Sequence, residues 1–173
     1  VFVFAPLIFA GEFLKLQSIE KVALAALIFC VASSATYILN DLTDIERDRR
    51  HPKKSKSRPL ASGLVSIPQA ITLLLILYVA LLAAWFVMPA VLYVVLGYLL
   101  LNLAYTFVLK HQPVIDIFTI AIGFVLRVYA GAMALSVPVS SWMFVTTLCL
   151  ALYLAAVKRG QELASNGSDS REV

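Results

Sequence analysis

The sequence is poor in charge, in histidine and in cysteine. Only 14% of its 173 residues are charged, while 61% are hydrophobic. A soluble domain averages about 25% charged and roughly 45–50% apolar residues. The deficit excludes an ordinary soluble globule and places the chain in the membrane class. Two cysteines and two histidines give no zinc-type spacing. Neither His51 nor His111 has a partner arrangement that implies metal binding or nucleophilic catalysis. Cys30 and Cys149 both fall inside apolar runs, where small packing residues are the expectation. No internal repeat, heptad pattern or low-complexity tract is present. Residues 1–10 are apolar but carry no positive n-region, so no cleavable signal peptide is expected. They are also too few to cross a bilayer, which takes about 20 residues. The expectation is a chain that begins inside a membrane span and is truncated at both ends.

Apolar runs are what the sequence has in abundance. Six follow one another, at about 1–10, 22–39, 70–88, 90–109, 115–135 and 142–157. Each complete run is close to bilayer length. Lipid offers exposed backbone no hydrogen-bond partner, so such runs must be helices. Pro89 marks a tight turn between the third and fourth, and residues 136–140 punctuate the turn before the sixth. The fold class expected is therefore an all-α polytopic transmembrane bundle, with a polar tail from Lys158 onward.

The fourteen basic residues are unevenly placed. Arg47, Arg49, Arg50, Lys53, Lys54, Lys56 and Arg58 follow the second run, Lys110 follows the fourth, and Lys158, Arg159 and Arg171 follow the sixth. Lys15 and Lys21 lie near the first, and Arg127 lies inside the fifth. Eleven cations thus share one side, which the positive-inside rule makes cytoplasmic. The net charge of +4 is a topology signal, and no nucleic-acid partner is implied.

The one long charged loop carries the chemistry. Asn40, Asp44 and Asp48 are spaced i, i+4, i+8, and Asp41 and Asp44 are spaced i, i+3. If the second helix continues beyond the bilayer, all four line one face. Stacked carboxylates repel one another, and a divalent cation relieves the repulsion. Oxygen ligands of this kind suit magnesium, which bridges one or two carboxylates to substrate phosphates. The metal set expected is Asn40, Asp41, Asp44 and Asp48, with Mg2+ as cofactor. Downstream, residues 49–58 form a cationic cluster, the other half of a phosphate site. Arg58 and Lys54 are its candidate phosphate ligands, and Pro59 and Gly63 would fix an ordered turn. Cations alone would fit a solvated loop; the regular acidic spacing at a membrane exit turns the reading towards catalysis.

Other polar residues in the spans admit two readings each. Asp116 and Arg127 are expensive in a bilayer and either line a cavity or pair with another helix. Eleven residues separate them, too far for a direct local pair. Tyr105 is equally a cavity or a packing residue. Asn102 reads as glue between helices rather than as a ligand. Lys110 either snorkels to headgroups or meets a substrate phosphate. Gly97, Gly123 and Gly131 suggest close helix packing.

Asn40, Asp41, Asp44 and Asp48 resemble, position by position, the N-D-x-x-D-x-x-x-D motif of the UbiA superfamily of intramembrane prenyltransferases. The stretch Arg58-Pro59-Leu60-Ala61-Ser62-Gly63 is similar to a second signature of that superfamily. The resemblance implies a bundle of about nine spans around a polar cavity open to the cytoplasm. On that scale residues 1–173 make a single incomplete domain with six spans present, and residues 40–68 form its cytoplasmic catalytic loop. The localisation implied is multi-pass in the plasma membrane, and a homo-oligomer is compatible with it.

One branch is closer than the rest. Val3-Phe4-Ala5-Pro6-Leu7, Lys110-His111-x-Pro113-x-x-Asp116, Gly123-Phe124-Val125-Leu126-Arg127 and Ala130-Gly131-Ala132 resemble the decaprenyl-phosphate phosphoribosyltransferases. These transfer 5-phosphoribose from phosphoribosyl diphosphate to a polyprenyl phosphate, in a route to cell-wall arabinan. The sixth run ends Lys158-Arg159-x-x-Glu162, where aromatic prenyltransferases of the superfamily carry a second aspartate-rich motif. Cations there suit an additional phosphate, so Lys158, Arg159 and Glu162 join the substrate-binding candidates. The alternatives are an aromatic polyprenyltransferase, with a prenyl diphosphate donor, and a lipid-binding or transport protein without chemistry.

Overall fold

The computed structural model describes residues 2–52, 54–108 and 113–169, and all regular structure among them is helical. A 3-10 turn, Phe2–Phe4, leads into α1 (Ala5–Phe9), and α2 (Leu16–Thr43) is the first long helix. Two short helices, α3 (Ile45–Arg50) and α4 (Lys54–Ser57), carry the charged loop. Four more follow: α5 (Ile67–Trp85), α6 (Pro89–Phe107), α7 (Pro113–Leu135) and α8 (Ser141–Asp169). Among the described residues, five segments are long and apolar enough to cross a membrane: all of α2, α5 and α6, Ile117–Leu135 of α7 and Ser141–Lys158 of α8. They coincide with the second to sixth expected spans. The first apolar run forms only the 3-10 turn and α1, which pack against α7 and α2.

Local chemistry sets the ends of these helices. Gly11, at φ +69°, closes α1: its N–H donates to the Ile8 carbonyl at 3.1 Å and that of Glu12 to Leu7 at 3.0 Å. This is the paired bonding of a left-handed helix stop, which favours glycine. Just beyond, Glu12 accepts from Lys15 Nζ and Ser18 Oγ, each at 2.7 Å. The Lys15 bond, then the Ser18 bond, hold its carboxyl below the ordinary range. Ser66 and Gln69 form a reciprocal capping box at the start of α5, and Pro89 opens α6 where its missing N–H costs nothing. After α7 the same stop recurs on a non-glycine residue. Ser136 sits at φ +55°, its N–H donates to Met133, and that of Val137 donates to Ala132. Ser140 then caps α8 through Oγ, which accepts from the Met143 N–H at 3.1 Å.

The interior is rich in alanine, alongside larger residues such as Phe29, Leu92 and Tyr98, and many large side chains lie on the exterior. Ala25, Ala32, Ala35, Ala121, Ala130, Ala132, Ala151 and Ala155 are buried, while Leu73, Leu75, Ile76, Val79, Leu82 and Phe86 are exposed. Water would penalise that distribution, but lipid tails are as apolar as leucine. Bundles in lipid gain instead by bringing backbones close. α7 is the central helix, with 50% of its span buried, and α5 is peripheral, with 11%. At Gly131 of α7 an added Cβ would overlap the Val3 carbonyl oxygen and lie 2.9 Å from the Val3 carbonyl carbon. The N-terminal turn therefore sits directly on α7. Gly123 would place a Cβ at ordinary contact distance, 3.5 Å from Arg127 Nη1. Gly97 has nothing within 4 Å of such an atom, which corrects its expected packing role: this face of α6 is open. Cys30 and Cys149 are also corrected, since both thiols are exposed on outward faces of α2 and α8. Phe29, one residue earlier on α2, takes the core side, and a helix rotates the next position away.

Candidate active site

The acidic ladder stands where α2 leaves the apolar zone. α2 ends at Thr43, and Asp44, at φ −97° and ψ 5°, separates it from α3. The helical bonding nevertheless carries through. The Asp44 N–H donates to the Asn40 carbonyl at 3.0 Å and the Asp48 N–H to Asp44 at 2.9 Å. The expected continuous helix is thus slightly broken, yet the i, i+4, i+8 register survives. Asp48 is buried at 4% exposure, unusual for a carboxylate outside a core. Asp41 and Asp44 are half-buried. Asn40 Oδ1 is buried and, among the described residues, has no hydrogen-bond partner. A buried acceptor left unsatisfied costs about 1–3 kcal/mol and calls for an explanation.

Arg58 ties the basic segment to this ladder. Its Nη1 donates to Asp41 Oδ1, forming an ion pair across seventeen residues of chain. The intervening turn is ordered as the sequence predicts. Gly63 sits at φ +81°, the Ser62 N–H donates to Arg58 and that of Val65 to Pro59. Leu60 is buried beneath it. Pro59 and Gly63 thereby hold Arg58 facing α2.

Among the described residues, no group of three His, Cys, Asp or Glu side chains gathers closely enough to hold a metal by itself. The ladder is not a closed cage. It fits an open magnesium site, where one or two carboxylates suffice and substrate phosphates and waters complete the shell. The donors are all hard oxygens, and Asn40 Oδ1 supplies an acceptor without another bond.

Beside the ladder a cavity of about 410 Å³ opens between α2, α6, α7 and α8. Asn40 and Arg58 line it, as do Tyr105, Arg127 and Lys158. Five residues expected from sequence, spread over more than a hundred positions, therefore meet in one space. Its described lining contains three cations, Arg58, Arg127 and Lys158, and no carboxylate. Asn102 lines it too. That corrects its reading as glue between helices: its Nδ2 donates to the Tyr98 carbonyl of its own helix at 2.8 Å. Lys110 lies outside the described residues, and so do the side chains of Lys54, Asp116, Arg159 and Glu162.

Arg127 occupies the inner part of the cavity. Nη1 donates to the Gly123 carbonyl at 2.8 Å and Nη2 to the Tyr98 hydroxyl at 3.2 Å. The guanidinium carbon lies 5.2 Å from the Phe29 ring centre and 5.1 Å from those of Tyr98 and Phe124. Phe124 in turn packs on Phe2, with centroids 4.7 Å apart. Three helices thus supply rings to one cation.

Thr36, Tyr37, Tyr98 and Thr119 also line the cavity and were not among the residues expected there from sequence. A signal existed in helical spacing. Thr36 precedes Asn40 by four residues, Tyr98 precedes Asn102 by four, and Thr119 precedes Gly123 and Arg127 by four and eight. Each is a polar stripe along one face of an apolar helix.

A membrane bundle with an acidic helix exit, a basic turn folded back upon it and a polar cavity beside both defines a class of protein. The chain belongs to the UbiA prenyltransferase family, whose profile matches residues 2–166. It is 38% identical over 163 residues to a decaprenyl-phosphate phosphoribosyltransferase of Mycobacterium tuberculosis, an alignment covering 92% of this chain and 54% of the relative. Identity is likewise 38% to the protein of that name in Mycolicibacterium smegmatis, covering 92% and 51%. With the Corynebacterium glutamicum protein of that name it is 36%, covering 85% and 45%. The chain spans about half the length of the curated relatives it matches.

Proposed function

We propose that the full-length protein is a magnesium-dependent membrane transferase that moves 5-phosphoribose from phosphoribosyl diphosphate to a polyprenyl phosphate, releasing diphosphate. The carrying observation is the cavity itself. Three cations and no carboxylate among its described lining residues suit a substrate with several phosphates, and the acidic ladder stands at its edge. The names of the relatives support the same substrates.

In this reading the diphosphate end of the donor docks at Asn40, Asp41, Asp44 and Asp48, which would hold the magnesium ion. When bound, that ion neutralises charge on the departing diphosphate. Arg58, oriented by Asp41, donates to a diphosphate oxygen. Lys158 attracts a phosphate group from α8. An oxygen of the lipid phosphate attacks the anomeric carbon, forming the new C–O bond. The bond from that carbon to the diphosphate oxygen breaks, and its electron pair leaves with the diphosphate. The lipid phosphate is itself the nucleophile, so no covalent enzyme intermediate is required. The cationic loop and the ends of α2, α6 and α8 face the cytoplasm, where the soluble donor is available.

The test supplies full-length enzyme in one mixture with phosphoribosyl diphosphate and polyprenyl phosphate, and in another with polyprenyl diphosphate and an aromatic acid. Diphosphate release in the first mixture alone is the expected result. Release only in the second would replace phosphoribosyl transfer by aromatic prenylation, and release in neither would remove the enzymatic reading.

A further inference from the structure

We propose that Arg127 anchors a phosphate monoester at the inner end of the cavity, a third anion subsite distinct from the acidic ladder and from Lys158. The inference rests on the phosphoryl-rich substrates of the proposed function and assigns a role within that site.

Depth is the first argument. Arg127 is stacked against Phe29, and the stretch of α2 from Phe29 to Asn40 rises about 16 Å. The cation therefore sits well inside the apolar zone, where a charge is costly and normally marks function. Its described partners are a carbonyl, a hydroxyl and three rings. Aromatic faces attract a cation but carry no net charge to neutralise it. A residue needed only to pin α2, α6 and α7 together could be neutral.

Orientation is the second. A guanidinium has five N–H donors in a planar fork. The two bonds to Gly123 and Tyr98 leave donors for another acceptor, and the rings fix the plane. A fork held this way is prepared for two oxygens of one group, which a phosphate provides. Arg58, by contrast, already engages Asp41. With the diphosphate held at the ladder, the group reaching inward is a monoester. Both substrates carry one: the ribose 5-phosphate of the donor and the phosphate of the lipid.

The experiment uses full-length enzyme in lipid nanodiscs, wild type and with Arg127→Met or Arg127→Lys. Equilibrium binding of ribose 5-phosphate and of a short-chain polyprenyl phosphate is measured separately. Magnesium diphosphate serves as the control ligand of the ladder. Losing one bidentate charge-assisted contact should weaken one monoester ligand about tenfold or more in Arg127→Met. Arg127→Lys should fall between, because ammonium keeps the charge and loses the fork. Added methylguanidinium should restore part of the methionine variant's affinity, which a packing role would not allow. Loss on the ribose 5-phosphate arm assigns the subsite to the donor, and loss on the lipid arm to the acceptor. Unchanged binding of both monoesters by both variants overturns the inference and leaves the proposed reaction standing. Should the methionine variant not fold, unchanged binding by the lysine variant overturns the bidentate anchor. Wild type that binds neither monoester overturns the reaction on which the inference stands.

Discussion

Arg58 and Asp41 form an ion pair that joins the basic turn to the last turn of α2. Both partners are only partly exposed, so the pair is better shielded from water than a surface bridge. In the proposed reaction it would couple two groups with different tasks, one for a metal and one for phosphate. Arg58→Gln should lower turnover about 10²-fold or more, the scale for removing one strong electrostatic contributor. Asp41→Asn should do likewise, and the double variant should lose much less than the product of the two. A double-mutant cycle on kcat/KM measures this coupling; fully multiplicative losses would mean that the two side chains act independently.

Asp44→Asn and Asp48→Asn should each depress activity heavily while leaving the helical circular-dichroism signal intact. Both replacements keep size and remove charge. Weakened ligation of magnesium should appear as a raised magnesium requirement before any change in lipid affinity. Near-normal rates at saturating magnesium in both variants would reduce the ladder to a structural helix face.

Gly131→Ala should destabilise the bundle by about 1–3 kcal/mol, the usual cost of forcing extra volume into a packed site. The added methyl would overlap the Val3 carbonyl oxygen, and main chain cannot rotate away as a side chain can. Gly97→Ala, facing open space, should be neutral or slightly stabilising, since alanine favours the helix. Denaturation midpoints of both variants in one detergent test the contrast, and equal midpoints would refute the contact at Gly131.

A cysteine placed at residue 56 should resist an impermeant thiol reagent in intact cells and react once the membrane is opened. Cys30 and Cys149 must first be replaced, as both are exposed. Efficient labelling from outside would invert the orientation inferred from the cationic loops.

Most of the scaffold was legible because its determinants are long and additive. Five apolar runs, Pro89, Gly63 and the 136–140 turn each carry their signal locally, and all reappear as helices, helix ends or an ordered turn. The Asn40–Asp48 register was legible for the same reason. The pairing of Arg58 with Asp41 was not, since it depends on how a turn folds back in three dimensions. The i, i+4 spacing of Tyr98 and Asn102 marked a polar stripe, but not that it faces a cavity rather than a neighbouring helix. Gly97 and Gly131 are identical in composition and sit in similar apolar surroundings; only the passage of Val3 over α7 separates them.

The contacts of Phe2 with Phe124 and of Phe124 with Arg127 make the Phe2–Phe4 turn a backing for one aromatic wall of the guanidinium. Phe2→Ala would leave the five long apolar helices untouched. It would nevertheless remove the ring that packs behind Phe124, and with it the support of one face of the cation. A variant of this kind would insert normally and still hold its buried charge loosely aimed.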